Sequence, residues 1–464
     1  MPQAAQRCGR ADTREHVLIV NHSLNLPVPL EPDPAQMRAL GEDVLDLVVD
    51  FIEQRATAPA TDLDHPVPTD AAGAADTADV LDFIGHAAQR AVDPAGPGYL
   101  AFIPGGGLYT AALADFITAA VNRYTTVAAL APAFVQIEAD VIRWIADLFD
   151  FPPTAQGILT TGGSLANFSA IVTAKEARHG KTIYVSDQAH HSVTKAAALA
   201  GYPANAIRVI PSDAELRIDL DALDAAVEED PDPFLVVASA GTTNTGAIDA
   251  LDDLATLAHN HNLWLHVDAA YGGFFQLTER GRHKLRGIER ADSITLDPHK
   301  GMFLPYGSGC LVVRDGAVLR QAHTAGAEYL QDLPDVGLPN YAEYSPELSR
   351  AFRGLRIWLP LQLHGAQAFA DALDEKLDLA GHAYDRLQQS DDFELPWEPE
   401  LSVVAFHHPD GPRILAEVNA SRRVFLSSTT IRGRHTLRIA VLSHRTHLDR
   451  VDEAVDLLEK AARQ

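Results

Sequence analysis

Two segments of this 464-residue chain end in side chains that can act on each other. Residues 263–273 read LWLHVDAAYGG, and the two-residue period of a strand puts His266 and Asp268 on one face before small residues and a glycine pair break the run. A later apolar run ends in Leu296-Asp297-Pro298-His299-Lys300-Gly301. Pro298 holds the residue before it extended, so Lys300 arrives at the end of a strand. A single lysine is ordinarily a solvated surface group, and a single acid after a strand is ordinarily a helix N-cap. The glycine-rich sequel of Asp268 does not read as a helix start, and an amine and an acid at two strand ends invite one explanation.

Together they meet two demands of pyridoxal 5′-phosphate (PLP): a lysine to form the imine, and an acid to keep the pyridine nitrogen protonated so that the ring accepts electrons. A phosphate cradle is offered by TTGGSLAN at 160–167, where Gly162 and Gly163 allow close backbone approach, Ser164 adds a hydroxyl, and a helix runs on to about Arg178. No lysine follows the glycines, so this is not the nucleotide P-loop. Taken alone, the turn is equally an ordinary helix start. In SDQAHHS at 186–192, His190 rather than His191 is chosen to stack on the pyridine ring, against the plainer reading of two solvated loop histidines. Thr242, Thr243 and Asn244 offer polar groups near the ring, although Gly241 and Gly246 also bracket them as a turn. His259, His261 and His266 lack the helical i, i+4 spacing of a zinc pair, and the first two precede the strand, so no metal site is expected.

These residues must be positioned by a scaffold, and its pattern is legible between 109 and 313. Apolar runs at 182–185, 207–210, 234–238, 264–267, 293–296 and 310–313 alternate with helical segments. That pattern predicts an α/β fold with a mostly parallel sheet covered on both faces, whose ligands sit beyond the carboxyl ends of the strands. Upstream, Met37, Leu40, Val44, Leu47, Val48 and Phe51 fall at helical spacing, and a link rich in Ala, Thr, Asp and Pro follows at 56–75. Downstream come a helical run at 359–379, strand-like stretches at 402–406 and 436–440, and a closing helix at 448–462. The chain is therefore divided into an N-terminal helical arm (1–108), a large PLP-binding α/β domain (109–356) and a small C-terminal α+β domain (357–464).

Composition narrows the partners. With 37 Lys and Arg against 63 Asp and Glu, the net charge of -26 opposes nucleic acid and anionic membrane surfaces. No run of about 18 apolar residues appears, and residues 1–12 lack the basic-then-apolar order of a secretory signal, so a cytoplasmic enzyme is expected. Cys8 and Cys310 are too far apart in sequence to suggest a disulfide framework or a cysteine zinc site.

TTGGSLANF, SDQAHHS, HVDAAYGG and DPHK, in that order, resemble the group II PLP-dependent decarboxylases, the family of aromatic-L-amino-acid, histidine and glutamate decarboxylases. The resemblance runs from about Met37 to the C-terminus. It implies fold type I and a homodimer with active sites at the subunit interface. Position by position, it makes Lys300 the Schiff-base lysine, Asp268 the pyridinium partner, His190 the stacking histidine and Ala270 the residue beneath the ring. Gly162, Gly163 and Ser164 match the phosphate loop, Thr243 a threonine beside the cofactor, His299 the histidine before the lysine, and His266 a contact to substrate carboxylate or cofactor.

The same resemblance makes Tyr329, in Ala327-Glu328-Tyr329-Leu330, the proton donor of a mobile catalytic loop, where aldehyde-forming relatives carry Phe. Phe102, Pro104 and Tyr306 resemble substrate-pocket positions and suggest an aromatic amino acid. Arg123 leaves an acidic substrate open, and a diamino acid, an aminotransferase, an aldehyde synthase and a non-catalytic PLP-binding protein are the alternatives. One departure concerns Asp297, which stands where many relatives have Asn; a carboxylate there would repel a phosphate unless turned away or paired.

Overall fold

The computed structural model describes residues 31–62, 73, 75–324 and 333–464. The apolar runs assemble into one sheet. Its strands are β1 (Gln156–Thr160), β2 (Thr182–Ser186), β3 (Ile207–Ile210), β4 (Pro233–Ser239), β5 (Trp264–Asp268), β6 (Ser293–Leu296) and β7 (Gly309–Val313), in the spatial order β1-β7-β6-β5-β4-β2-β3. β7 runs antiparallel to both of its neighbours, and the other strand pairs are parallel. Every residue of β5, β6 and β7 is buried, as the continuous apolar runs require of strands covered on both faces. β1 is the strand that the sequence pattern passes over, because QGILT offers only two strongly apolar residues.

Register fixes where chemistry can occur. Ser239 pairs with Asp268 and Asp268 with Thr295, so β4, β5 and β6 end side by side. Asp297 continues extended from β6, and Pro298 then opens a short helical turn, Pro298–Gly301, as the first residue of a helix can. Lys300 thus sits in that turn rather than on the strand itself.

Downstream, the helix Gly354–Gln388 bends at Gly365, whose φ of 74° only glycine adopts freely. It precedes an antiparallel sheet of β8 (Val403–Phe406), β9 (Ser427–Ile431) and β10 (Arg434–Ala440), ordered β8-β10-β9 and closed by a helix at Leu448–Ala462. These elements gather a separate apolar cluster that includes Leu387, Phe406, Ile439 and Val455. β9 escapes the sequence pattern because SSTTI has a single apolar residue and is ordered by its pairing to β10.

The chain divides into two compact units, one of residues 1–58 and 65–90, the other of 59–64 and 91–464. In the first, α1 (Pro34–Gln54) is started by a capping box between Asp33 and Gln36, and α2 (Thr77–Gln89) by the Asp76 side chain. Neither helix has a buried residue, so Leu40, Val44, Phe83 and Ile84 remain exposed. Among the described residues no helix is long and apolar enough to cross a membrane.

A buried ion pair braces the large sheet. Glu138, on the helix Pro132–Leu148, meets Arg350, and both side chains are wholly buried. Arg350 also lies over the Tyr341 ring, while Arg353 donates to Leu159 O at 3.1 Å and pairs with Glu347. Burial pushes the Glu138 carboxyl up, and Arg350 opposes that shift. Leu159 lies in β1, directly before the glycine turn, so the network stiffens the strand that presents the turn. Arg350→Leu should destabilise the protein by about 3–5 kcal/mol by stranding a buried charge, and Glu138→Leu in addition should recover much of the loss. Urea denaturation of the single and double variants checks both outcomes.

Candidate active site

Beyond the carboxyl ends of the strands lies a cavity of about 290 Å³, walled by the 161–165 turn, the loops after β2 and β4, Asp268 and Lys300. The turn starts α3 (Gly163–Ala177) with Gly162 at φ 155°, a backbone conformation open to glycine. A Cβ on Gly163 would stand 3.3 Å from Ala270 Cβ and 3.2 Å from Asp297 Oδ2, a crowded fit that glycine avoids. Free backbone N–H groups at this helix start and the Ser164 hydroxyl make the wall suited to an anion.

Asp268 is held by a chain of hydrogen bonds that reaches deep into the core. Trp264 Nε1–H donates to Ser293 Oγ (2.9 Å), and Ser293 Oγ is 2.8 Å from His266 Nδ1. His266 Nε2 is 3.0 Å from Asn167 Oδ1, and Asn167 Nδ2 donates to both Asp268 Oδ2 (2.9 Å) and Ser192 Oγ (3.0 Å). Ser192 Oγ in turn is 2.7 Å from His190 Nδ1. One assignment of protons satisfies every link: Ser293 donates to His266 Nδ1, His266 Nε2–H to Asn167, and Ser192 to His190 Nδ1. Burial lowers the His266 pKa to about 4 against the pull of Asp268, so the ring is neutral, as that assignment needs. Burial also lowers His190, with Asp268 opposing, and leaves a neutral imidazole lining the cavity. The amide of Ala270 completes the set by donating to Asp268 Oδ1 at 3.1 Å.

His266 is buried, does not line the cavity, and is bonded to Asn167, which donates to Asp268. Asn167, quoted in the glycine-turn motif without a role, is the residue that sequence reasoning missed. Its signal was a polar amide inside a helix, where Asn is disfavoured unless its side chain has partners.

Opposite Asp268, Lys300 Nζ reaches into the cavity, 3.1 Å from Asp297 Oδ2. His299 lines the same wall, with Nδ1 2.6 Å from Ser308 O, and burial lowers its pKa. Thr243 lines the wall from the loop after β4.

Residues 77–408 match the family described as "Pyridoxal-dependent decarboxylase conserved domain". The chain belongs to this family. It is similar to the aromatic-L-amino-acid decarboxylase of Bacillus atrophaeus, with 32% identity over 90% of this chain and 93% of that protein. The L-2,4-diaminobutyrate decarboxylase of Rhizobium meliloti (strain 1021) is also 32% identical, over 72% of this chain and 71% of its own length. The crystal structure of Oryza sativa TDC with PLP and tryptamine shares the fold, with a TM-score of 0.88 and 23% identity over 94% of this chain and 99% of that one.

The residues of this decarboxylase fit PLP: an anion-binding glycine turn, a held carboxylate and a lysine amine face one cavity, and the polar Asp297 Oδ1 is buried beside the turn without a partner among the described residues. The substrate positions expected from the sequence lie outside this wall. Tyr306 is half exposed, its ring 5.3 Å from that of His299 and packed on Gly105. Phe102 is exposed with φ 49°, Pro104 is buried, and Arg123 is exposed on the surface. Tyr329 lies outside the described residues.

Arg438, on β10, was also missed. Buried, and with its pKa lowered to about 10 by that burial, it donates to Phe102 O (3.0 Å), Asn244 O (2.8 Å), Ser427 Oγ (2.8 Å) and Thr243 O. One guanidinium thus ties the Thr243 loop to the Phe102 segment. The sequence shows a strand there but not that Arg438 is buried while Arg434 is exposed.

Replacing Asn167 by Leu should leave Asp268 and Ser192 without their shared donor and lower PLP affinity roughly tenfold, in keeping with about 1–3 kcal/mol for an unmade buried hydrogen bond. A spectrophotometric titration of cofactor-free protein with PLP measures it.

Proposed function

We propose that this PLP-dependent lyase decarboxylates an aromatic L-amino acid to its amine and carbon dioxide. The observation that carries the aromatic reading is the half-exposed Tyr306 ring beside His299, next to the Lys300 wall. The likeness to the Bacillus atrophaeus enzyme, which spans nearly the whole of both chains, supports it. The equal identity to the diaminobutyrate enzyme makes a diamino acid the second reading.

When bound, the cofactor supplies an electron sink for the pair released as the bond to the α-carboxylate breaks. Lys300, whose amine lies at the cavity wall, would hold the cofactor through an imine. Asp268, with lone pairs already fixed by Asn167 and Ala270, would hold the proton on the ring nitrogen. His190, tied at Nδ1, would stack on the ring, and the Gly162–Gly163 turn would hold the phosphate. Tyr329, on the resemblance, delivers the proton to the α-carbon.

We also infer a homodimer. On the helix Tyr109–Val121, Leu113, Phe116, Ile117 and Val121 form an exposed stripe at helical spacing, with Phe116 71% exposed. The exposed apolar residues of α1 and α2 give those helices no core of their own, which also favours a second copy as their cover.

Incubating the enzyme with tryptophan, tyrosine, phenylalanine, 2,4-diaminobutyrate and glutamate, and assaying amine and carbon dioxide, should show turnover with the aromatic set. Turnover confined to diaminobutyrate would establish the second reading. Lys300→Ala should lose carbon dioxide release and the visible absorbance of lysine-bound PLP together. Tyr329→Phe should divert product from amine towards aldehyde, detected by carbonyl trapping. In light scattering, the wild type should have twice the chain mass and Phe116→Glu the mass of one chain.

A further inference from the structure

Asp297 is the acid in the cavity wall that the chemistry above leaves unused. It is 3% exposed, with Oδ2 against Lys300 Nζ and Oδ1 buried without a partner among the described residues. It also packs on the anion turn: a Cβ on Gly163 would stand 3.2 and 3.4 Å from its two oxygens.

The groups around it offer little positive charge. From its own segment come Lys300 at 3.1 Å and His299 Nε2 at 3.8 Å. The His299 ring is held neutral by burial and commits Nδ1–H to Ser308 O, so a bare nitrogen lone pair faces the carboxylate. Cys310 from β7 is a buried thiol whose pKa burial raises, with the Asp297 charge adding to the shift. Asp268 from β5 and His190 from the loop after β2 line the same cavity. Once Lys300 is bonded to the cofactor, its free ammonium no longer stands against Asp297.

If Lys300 carries PLP, as proposed above, the phosphate is brought to the same side, because the aldehyde and phosphomethyl groups of PLP occupy adjacent ring carbons. A buried carboxylate and a phosphate dianion in contact do not both keep their charge. We propose that binding of the cofactor's phosphate takes up one proton, held between Asp297 Oδ1 and a phosphate oxygen, so that Asp297 is a proton-linked phosphate ligand. The proton comes from solvent; no bond other than O–H forms or breaks. The carboxylic acid then donates through the one oxygen that has no partner otherwise, doing what the amide of an Asn would do without a proton.

The test uses the Lys300→Ala protein, in which no ammonium stands against Asp297, and 4′-deoxypyridoxine 5′-phosphate, which has the phosphate and lacks the aldehyde. Calorimetric titration of this cofactor-free protein between about pH 7 and about pH 9 stays above the phosphate's second ionisation near pH 6. Its affinity should fall about tenfold per pH unit, the slope of one linked proton, and adding Asp297→Asn should make binding equal across the range. Repeating the Lys300→Ala titration in two buffers of different ionisation enthalpy should count one proton taken up, a result independent of how the double variant folds. A flat Lys300→Ala profile, a proton count of zero, or an unchanged slope with Asp297→Asn overturns the proposal. Adding PLP to the wild type and to Lys300→Ala tests the reading beneath it separately: visible absorbance present in the wild type and lost in Lys300→Ala upholds the anchor even where the slope is missing, and its failure to form in the wild type sinks the anchor whatever the slope.

Discussion

The hydrogen bond from Asn167 Nδ2 to Asp268 Oδ2 is the contact on which the site depends. A carboxylate at a strand end, nine-tenths buried, needs donors if it is to stay ionised and aimed. Asn167 supplies one from the helix that begins at the phosphate turn, and the Ala270 amide supplies another from the chain that follows β5. The same amide group fixes Ser192 and through it His190. One helix residue therefore couples three features that the chemistry needs in register: the anion turn, the acid for the ring nitrogen and the flat imidazole.

The rest of the molecule holds that helix and those strand ends still. Parallel pairing aligns Ser239, Asp268 and Thr295, so that β4, β5 and β6 open onto one cavity. Neutral His266 anchors Asn167 from below, and burial keeps it neutral, so it offers Asn167 a donor without adding a charge beside Asp268. The buried Glu138–Arg350 pair braces β1, and Arg438 ties the Thr243 loop to the Phe102 segment. Tyr306 and Phe102, the positions to which the proposed function gives specificity, are exposed and lie outside the cavity wall.

Much of this was legible in the sequence. Strands buried on both faces leave uninterrupted Val and Ile runs, so β2 to β7 were readable, and their ends pointed to Asp268, Lys300 and His190. β1 and β9 were not, since tertiary pairing rather than pattern makes them strands. Residues that act through other residues were hidden for the same reason. Asn167, Arg438 and His266 each depend on at least one partner 99 or more positions away in sequence, which no local spacing reports. Lys300 was placed on a strand end when a Pro298-initiated turn carries it, a difference of one turn of backbone.

The central claim is that Asp268, held by Asn167, keeps the cofactor's ring nitrogen protonated. Reconstituting the enzyme with PLP labelled with nitrogen-15 in the ring and recording its chemical shift measures that proton directly. The account predicts the shift of a protonated pyridinium in the wild type and of a neutral pyridine in Asp268→Ala; a neutral pyridine in the wild-type enzyme would contradict it.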